Sequence, residues 1–251
     1  MSENLSLLSV EHTYLSIKGR QVPARIYREF RRSVRASIGK RAAILRMPRL
    51  LTKAQQRQQM EWFTEWVAQQ MEKNSHLEDR FFGKNYQSGD ILQVGERSYL
   101  LQIDYADRKT HSGKIRNRVL HLRLSQHDPQ AHLSKSIKHL LSRLVAQDYL
   151  PEITRRVNEL NALYFQKNIK SVNLKYNHSN WGSCSAKGNV NLSTRLLFAP
   201  ADVIDYVIIH ELAHLIEMNH SNRFWRLVAD AMPDYKAKER WLKEYGASCD
   251  F

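Results

Sequence analysis

Residues 210–220 constrain this chain more than any other stretch: His210-Glu211-Leu212-Ala213-His214, followed after five residues by His220. Imidazoles four apart on an α-helix project from one face, one above the other, so both reach a single cation. At about 3.6 residues per turn, Glu211 lies roughly 100° further round from His210. That sets a carboxylate beside the metal, where it can take a proton from an activated water. His220 is too far along a straight helix to meet the same ion. The spacing therefore predicts a helix stop near Met218-Asn219, with Asn219 tolerant of the left-handed conformation such stops use.

Three protein ligands and an open position make the pattern of a catalytic zinc site. Cys184 would close the site as a fourth ligand, but a lone cysteine beside Trp181-Gly182-Ser183 more often packs as a small hydrophobe. A downstream acid (Asp230, Asp234 or Glu239) is the other reading of the third ligand. His220 is preferred because it leads directly into an apolar helix. Upstream, Pro200-Ala201-Asp202 marks a helix start, with proline early and an acid near the positive dipole end. Val203, Tyr206, Val207, Ile209 and Ala213 then fall at helical spacing and give the ligand helix an apolar back.

Four blocks in order carry a wider likeness: Trp181-Gly182-Ser183-Cys184-Ser185, Asn189-Val190-Asn191-Leu192, Ile204 through Leu215, and Asn219-His220-Ser221-Asn222-Arg223-Phe224-Trp225. Together they resemble the YgjP-like metallopeptidases, a bacterial group related to SprT/Spartan-like proteases. The likeness covers roughly residues 170–245, and a weaker one covers Arg31 to Pro48, which looks like that family's N-terminal hairpin. It implies a zinc-dependent peptidase with a zincin-like core, acting on protein or peptide substrates. His210, His214 and His220 would be the ligands and Glu211 the general base. By the same likeness, the strand near Gly188–Ser193 would hold a peptide by β-addition, which needs no particular side chains. The metzincin pattern shares the His220 spacing but wants glycine where this chain has Glu217. Met232-Pro233 sits at a helix end and makes no Met-turn.

A second donor to the oxyanion is commonly needed in such chemistry. His178, Tyr176, Arg223 and Tyr235 are the polar residues nearest the motifs, each more often structural than catalytic. Asp205 and Glu217 are candidates to hold the free nitrogen of a ligand histidine.

At 251 residues the chain can bury a substantial core as one large domain or two smaller ones. Met1 to Val10 lacks the basic start and apolar run of a secretory signal, and no stretch approaches bilayer-spanning length, so no membrane partner is expected. Two cysteines, Cys184 and Cys249, are too few for a disulfide framework and fit a reducing cytoplasm. The net charge of +14 comes from 39 basic and 25 acidic residues, unevenly spread. Residues 1–50 hold 11 basic against 3 acidic, whereas 201–251 hold 6 against 9. Such a surface attracts nucleic acid through its long-range field, though no nucleic-acid-binding motif accompanies it. An ordinary basic protein is an equal reading. Two alternatives to a peptidase follow: a nucleic-acid-associated protein braced by structural zinc, and a metal-dependent hydrolase of a non-peptide amide.

The fold expected is α+β, a β-rich portion with one long helix over 1–130 and the zincin-like core over 131–251. Val22, Ala24, Ile26, Phe30, Val34, Ala36 and Ile38 alternate with polar neighbours as a strand, bent near Phe30–Ser33. Its other face is rich in arginine (Arg25, Arg31, Arg35), the pattern of a solvated surface. Gly39-Lys40 turns into a strand over Ala42–Met47 that Pro48 ends. Thr52-Lys53-Ala54-Gln55 resembles a capping box opening a helix to about Lys73, with Met60, Phe63, Val67 and Met71 inward and Trp62 and Trp66 at the core or its rim. Phe81-Phe82-Gly83 begins a turn-rich section. Asp90–Asp104 and Lys114–Leu124 read as two strands, and His132–Gln147 and Pro151–Lys167 as helices parted at Pro151. Ile169–Tyr176 and Asn189–Ser193 read as strands, and 220–232 and 234–245 as closing helices.

Overall fold

The computed structural model describes residues 10–39, 42–74, 76–82 and 84–251. The readings at Met1 to Val10, Gly39-Lys40 and Gly83 fall wholly or partly outside them. Two compact units divide the chain, Met1–Asn85 and Tyr86–Phe251. The sheet over residues 91–125, grouped by sequence with the N-terminal portion, thus belongs with the second unit, because its apolar face packs on the long helix that follows it.

In the first unit, β1 (Val10–Ile17), β2 (Arg20–Glu29), β3 (Arg35–Ile38) and β4 (Ala43–Pro48) form one sheet in the order β1-β2-β4-β3. Lys18 and Gly19, both at positive φ, make the two-residue turn between β1 and β2. β2 runs parallel to β4, and β3 returns antiparallel on β4's other side. The long alternating run predicted from Val22 to Ile38 is therefore two strands that are not neighbours. Phe30, at the break, is 83% exposed rather than core.

Helix α1 (Lys53–Lys73) opens with the expected capping box: the Thr52 hydroxyl accepts from the Gln55 N–H at 3.3 Å, and the Gln55 side chain accepts from the Thr52 N–H at 2.9 Å. Phe63, Val67 and Met71 bury against Ala24, Ile26, Leu45 and Met47 of the sheet. Met60 and Trp66 lie at the margin, and Trp62 points to solvent. The short helix α2 (His76–Phe82) ends the unit.

The second unit begins with β5 (Ile91–Val94), β6 (Arg97–Ala106), β7 (Ser112–Arg116) and β8 (Val119–Ser125), in the order β5-β6-β8-β7. Each of the two predicted strands is a hairpin. Their turns, at Gly95-Glu96 and Asn117-Arg118, take two residues and do not interrupt the alternation.

Helix α3 (Gln130–Leu160) continues unbroken through Pro151, against the predicted break. Leu141, Leu144, Val145, Tyr149, Ile153 and Val157 continue one buried face across the proline. Just before it, Arg97 donates to the Asp148 carbonyl and carboxylate, both at 2.8 Å. Packing of that whole face outweighs the roughly 3 kcal/mol an interior proline costs.

After a π-helical turn at Asn161–Phe165 come β9 (Ser171–Lys175), β10 (Gly182–Cys184) and β11 (Asn189–Ser193), ordered β10-β11-β9. β11 is paired on both sides, antiparallel to β10 and parallel to β9. The strand expected to add a peptide therefore has no free edge, and the sheet's edges are β10 and β9. A 3-10 turn at Thr194–Phe198 leads to α4 (Ala201–Ala213), α5 (Asn222–Ala231) and α6 (Tyr235–Tyr245). Val190 and Leu192 of β11 share one core with α3 and α4. The result is an α+β fold with a zincin-like core, and among the described residues no helix is long and apolar enough to cross a membrane.

Candidate metal centre

Helix α4 carries His210 in its last turn and ends sooner than its spacing suggested, at Ala213 with His214 as cap. The chain then tightens: Leu215 N–H donates to Leu212 O and Ile216 N–H to Ala213 O, both at 3.0 Å. No left-handed residue is used there, and Asn219 keeps a negative φ. The tightened turn brings the chain back so that Ser221 caps α5, its hydroxyl accepting from the Phe224 N–H at 3.3 Å. His220 is thereby held beside the end of α4.

The ligating atoms of His210, His214 and His220 all lie within 4.8 Å of one another. The Nε2 atoms of His210 and His220 are 3.1 Å apart. For bonds of about 2.0–2.1 Å to a tetrahedral zinc, two nitrogens stand roughly 3.3 Å apart, so the spacing fits the ion. His214 Nδ1–H donates to the Glu217 backbone carbonyl at 3.1 Å, which leaves Nε2 with its lone pair facing the other two rings. Glu217 thus orients one of the three clustered imidazoles, but through its main chain rather than its carboxylate. His210 Nδ1 is buried and has no hydrogen-bond partner. Burial, then the neighbouring His214 and His220, push His210 down to about 4, and burial lowers His214 as well. Both are held in the neutral form that binds metal.

Glu211 is 5% exposed and lies against β10. A Cβ on Gly182 would sit 2.6 Å from Glu211 Oε1, so only glycine leaves room for this carboxylate. Burial alone pushes Glu211 up to about 8. A nearby dication would favour its charged form. Trp181, one residue earlier, is held from two sides. The Arg195 guanidinium stacks on its ring at 4.7 Å, and a Cβ on Gly246 would meet the ring at 2.5 Å. Arg195 is itself buried and donates to the carbonyls of Cys249, Gly246 and His178. The segment after α6 therefore braces the strand that backs Glu211.

The remaining candidates have other occupations. Cys184 is outside the histidine cluster, and burial with the nearby Glu211 raises its thiol to about 11, away from the thiolate a ligand needs. Asp230, Asp234 and Glu239 are likewise outside it; Asp234 pairs with Lys238 and Glu239 with Lys243. Asp205 takes a two-pronged pair from Arg156 on α3 and holds no ligand imidazole. Tyr176 donates to Asp250, and His178 serves Arg195 through its carbonyl. Tyr235 stacks on Trp225, and Arg223, beside His220, is exposed.

Phe224 is the residue whose part motif spacing did not reveal. Fully buried, its ring centroid lies 4.9, 4.6 and 4.7 Å from those of His210, His214 and His220. It is a floor against which all three rings are set. Trp225 stacks on His220 at 5.8 Å and completes an aromatic wall with Tyr206 and Tyr235. The sequence signal was there, since both aromatics open the helix directly after the third histidine.

The family described as YgjP-like, metallopeptidase domain, matches residues 32–245. UTP pyrophosphatase of Escherichia coli (strain K12) is 28% identical over 79 residues, 32% of this chain and 47% of that protein, so the match spans about half of the relative. Among solved structures, the metallopeptidase zymogen of Pyrococcus abyssi abylysin is 23% identical, with a TM-score of 0.34 over 37% of this chain and 93% of that one. The zymogen of Methanocaldococcus jannaschii jannalysin is 21% identical, with a TM-score of 0.33 over 37% and 94%. A family match that takes in the Gly182 strand, Glu211, all three histidines and Phe224 covers most of the chain, and the protein belongs to the YgjP-like metallopeptidases.

Proposed function

We propose that the protein is a zinc-dependent peptidase in which His210, His214 and His220 hold the metal and Glu211 is the general base. The observation that carries this reading is the convergence of three imidazoles beside a carboxylate seated against Gly182. Zinc, when bound, supplies Lewis-acid polarisation of a carbonyl and activation of a water. Glu211 takes the water's proton on a carboxylate oxygen and delivers it to the departing amine. Its burial keeps competing solvent away from that transfer. Phe224 and Trp225 fix the imidazole planes, and the Glu217 carbonyl sets the His214 tautomer. A substrate main chain would pair with β10, the sheet edge next to Glu211, rather than with β11.

A second reading, hydrolysis of a nucleoside triphosphate at the same centre, is favoured by the partial match to the Escherichia coli UTP pyrophosphatase. Glu211→Gln separates function from folding in either case. Activity should fall by about 10²- to 10⁴-fold, the usual span of general acid–base catalysis, with metal content by elemental analysis unchanged. Digestion of a peptide library alongside release of pyrophosphate from nucleoside triphosphates decides the substrate. Peptide cleavage lost in the variant supports the first reading. Pyrophosphate release lost in the variant, without peptide cleavage, supports the second. An unchanged variant removes Glu211 from the mechanism.

A further inference from the structure

Residues 18–49 contain 11 basic side chains and a single acid, Glu29. The register shows where they stand. One face of the first sheet, with Val22, Ala24, Ile26, Leu45 and Met47, is buried under α1. Pairing of His12 with Arg25, Val10 with Tyr27, Tyr27 with Arg46, and Arg46 with Arg35 sets these residues together on the opposite face. Tyr14 stands beside them, 66% exposed, opposite Pro23. The Arg46 guanidinium lies over the Tyr27 ring at 4.4 Å. Two tyrosines, a histidine and three arginines thus occupy one open, pleated surface. Glu29 answers Arg46 and Arg31, while Arg25 and Arg35 have no acidic partner among the described residues.

We propose that this outer face binds single-stranded nucleic acid, its arginines meeting phosphates and the exposed Tyr14 offering a platform on which a base stacks, with Arg46 on Tyr27 set beside it. Charge complementarity selects a polyanion. Flat aromatic rings interleaved with guanidiniums select one with exposed bases over a duplex, whose bases are already stacked. A membrane surface is the weaker fit. The exposed apolar side chains Phe30 and Leu50 sit at the ends of β2 and β4, beyond the face that carries Tyr14 and Arg25. The inference is independent of the metal centre and of its substrate.

Fluorescence anisotropy of the full chain with labelled oligonucleotides of about 15 residues, one of deoxythymidine and one of uridine, tests it. Binding should weaken with salt, and the slope of log affinity against log salt should shrink by about 0.7 for each phosphate contact removed, as in Arg25→Gln with Arg35→Gln. Tyr14→Ala should weaken binding by about 5- to 100-fold, and Tyr14→Phe should restore it, because the ring and not the hydroxyl stacks. Lys53→Gln with Arg57→Gln, an equal charge loss on exposed positions of α1, should change affinity less than twofold. Preference for either oligonucleotide supports the proposal and identifies the sugar. The proposal is overturned if the α1 pair weakens binding as much as the Arg25 and Arg35 pair, or if a duplex competes equally. It also fails if anionic vesicles bind while both oligonucleotides do not.

Discussion

The two four-stranded sheets share a topology and differ in what they show to solvent. Each is a hairpin, then a parallel step to the last strand, with the third strand turned back along it: β1-β2-β4-β3 and β5-β6-β8-β7. Each sends its last strand toward a helix, α1 or α3, that packs on its apolar face. The inner faces are alike in kind, aliphatic and closed. The outer faces are not. In the first sheet it holds Tyr14, Arg25, Tyr27, Arg35 and Arg46; in the second, register puts Ile91, Leu100 and Val119 together, with Lys114, Arg116, His121, Asp104 and Arg123 around them. Because side chains alternate across a strand, a fold constrains only the inward set. Arginines beside exposed tyrosine are therefore not a by-product of this topology, since the basic residues of the second sheet surround an apolar patch and no tyrosine shares their face.

If the shared topology is what the inner faces specify, truncation at corresponding strands should cost alike. Leu45 on β4 and Leu122 on β8 are both fully buried. Leu45→Ala and Leu122→Ala should each destabilise by about 2–5 kcal/mol, from lost burial and the cavity left behind. Urea melts followed by circular dichroism would measure both. A cost below about 1 kcal/mol for either would break the equivalence, since such a site would collapse without a cavity.

Glycines sharpen the contrast between structure and chemistry. Gly113, on β7, and Gly182, on β10, both lack room for a methyl group. At Gly113 a Cβ would meet Leu144 Cδ1 at 2.9 Å and Leu122 Cδ2 at 3.0 Å, the movable ends of two leucines. Gly113→Ala should cost about 1–3 kcal/mol of stability, as overpacking does, and leave turnover unchanged. At Gly182 the neighbour is the Glu211 carboxylate. Gly182→Ala should lower kcat by about 10²-fold, the effect of displacing a reacting group by an ångström, while metal content holds. Steady-state kinetics of the two variants side by side distinguishes them, and equal losses of kcat would show that Gly182 has no special tie to Glu211.

How far the sequence discloses these things depends on the range of the physics involved. The histidine cluster proposed to hold metal and the Thr52 capping box were legible because helical spacing and capping are local. Lys18-Gly19, the two-residue turn between β1 and β2, is as local a signal. Asn117-Arg118 gave less, since arginine is rare at positive φ. Pro151 misled because its local cost is outweighed by a buried face that only tertiary packing reveals. The same holds for the end of α4, drawn back at Ala213 rather than near Asn219 so that His220 can reach the other two rings. Arg195 bracing Trp181 from the segment after α6 is a long-range arrangement with no periodic trace, and the aromatic that follows His220 in sequence does not by itself say that it lies beneath three imidazoles. Nor could alternation alone say that β2 and β3 flank β4.

The smallest expected effect bears most directly on the two outer faces. Tyr14 contributes little to the first sheet's core, so Tyr14→Ala should shift stability by less than about 0.5 kcal/mol, as exposed substitutions do. Leu100, at 40% exposure on β6 and opposite Ile91, should cost somewhat more as Leu100→Ala, about 0.5–1 kcal/mol, through a lost cross-strand apolar pair. The order matters more than either value. A surface kept for binding can be altered without weakening the fold, whereas one whose apolar pairs hold adjacent strands cannot. Thermal melts showing Tyr14→Ala as the costlier change would reverse that assignment, because the tyrosine would then be part of what holds β1 to β2.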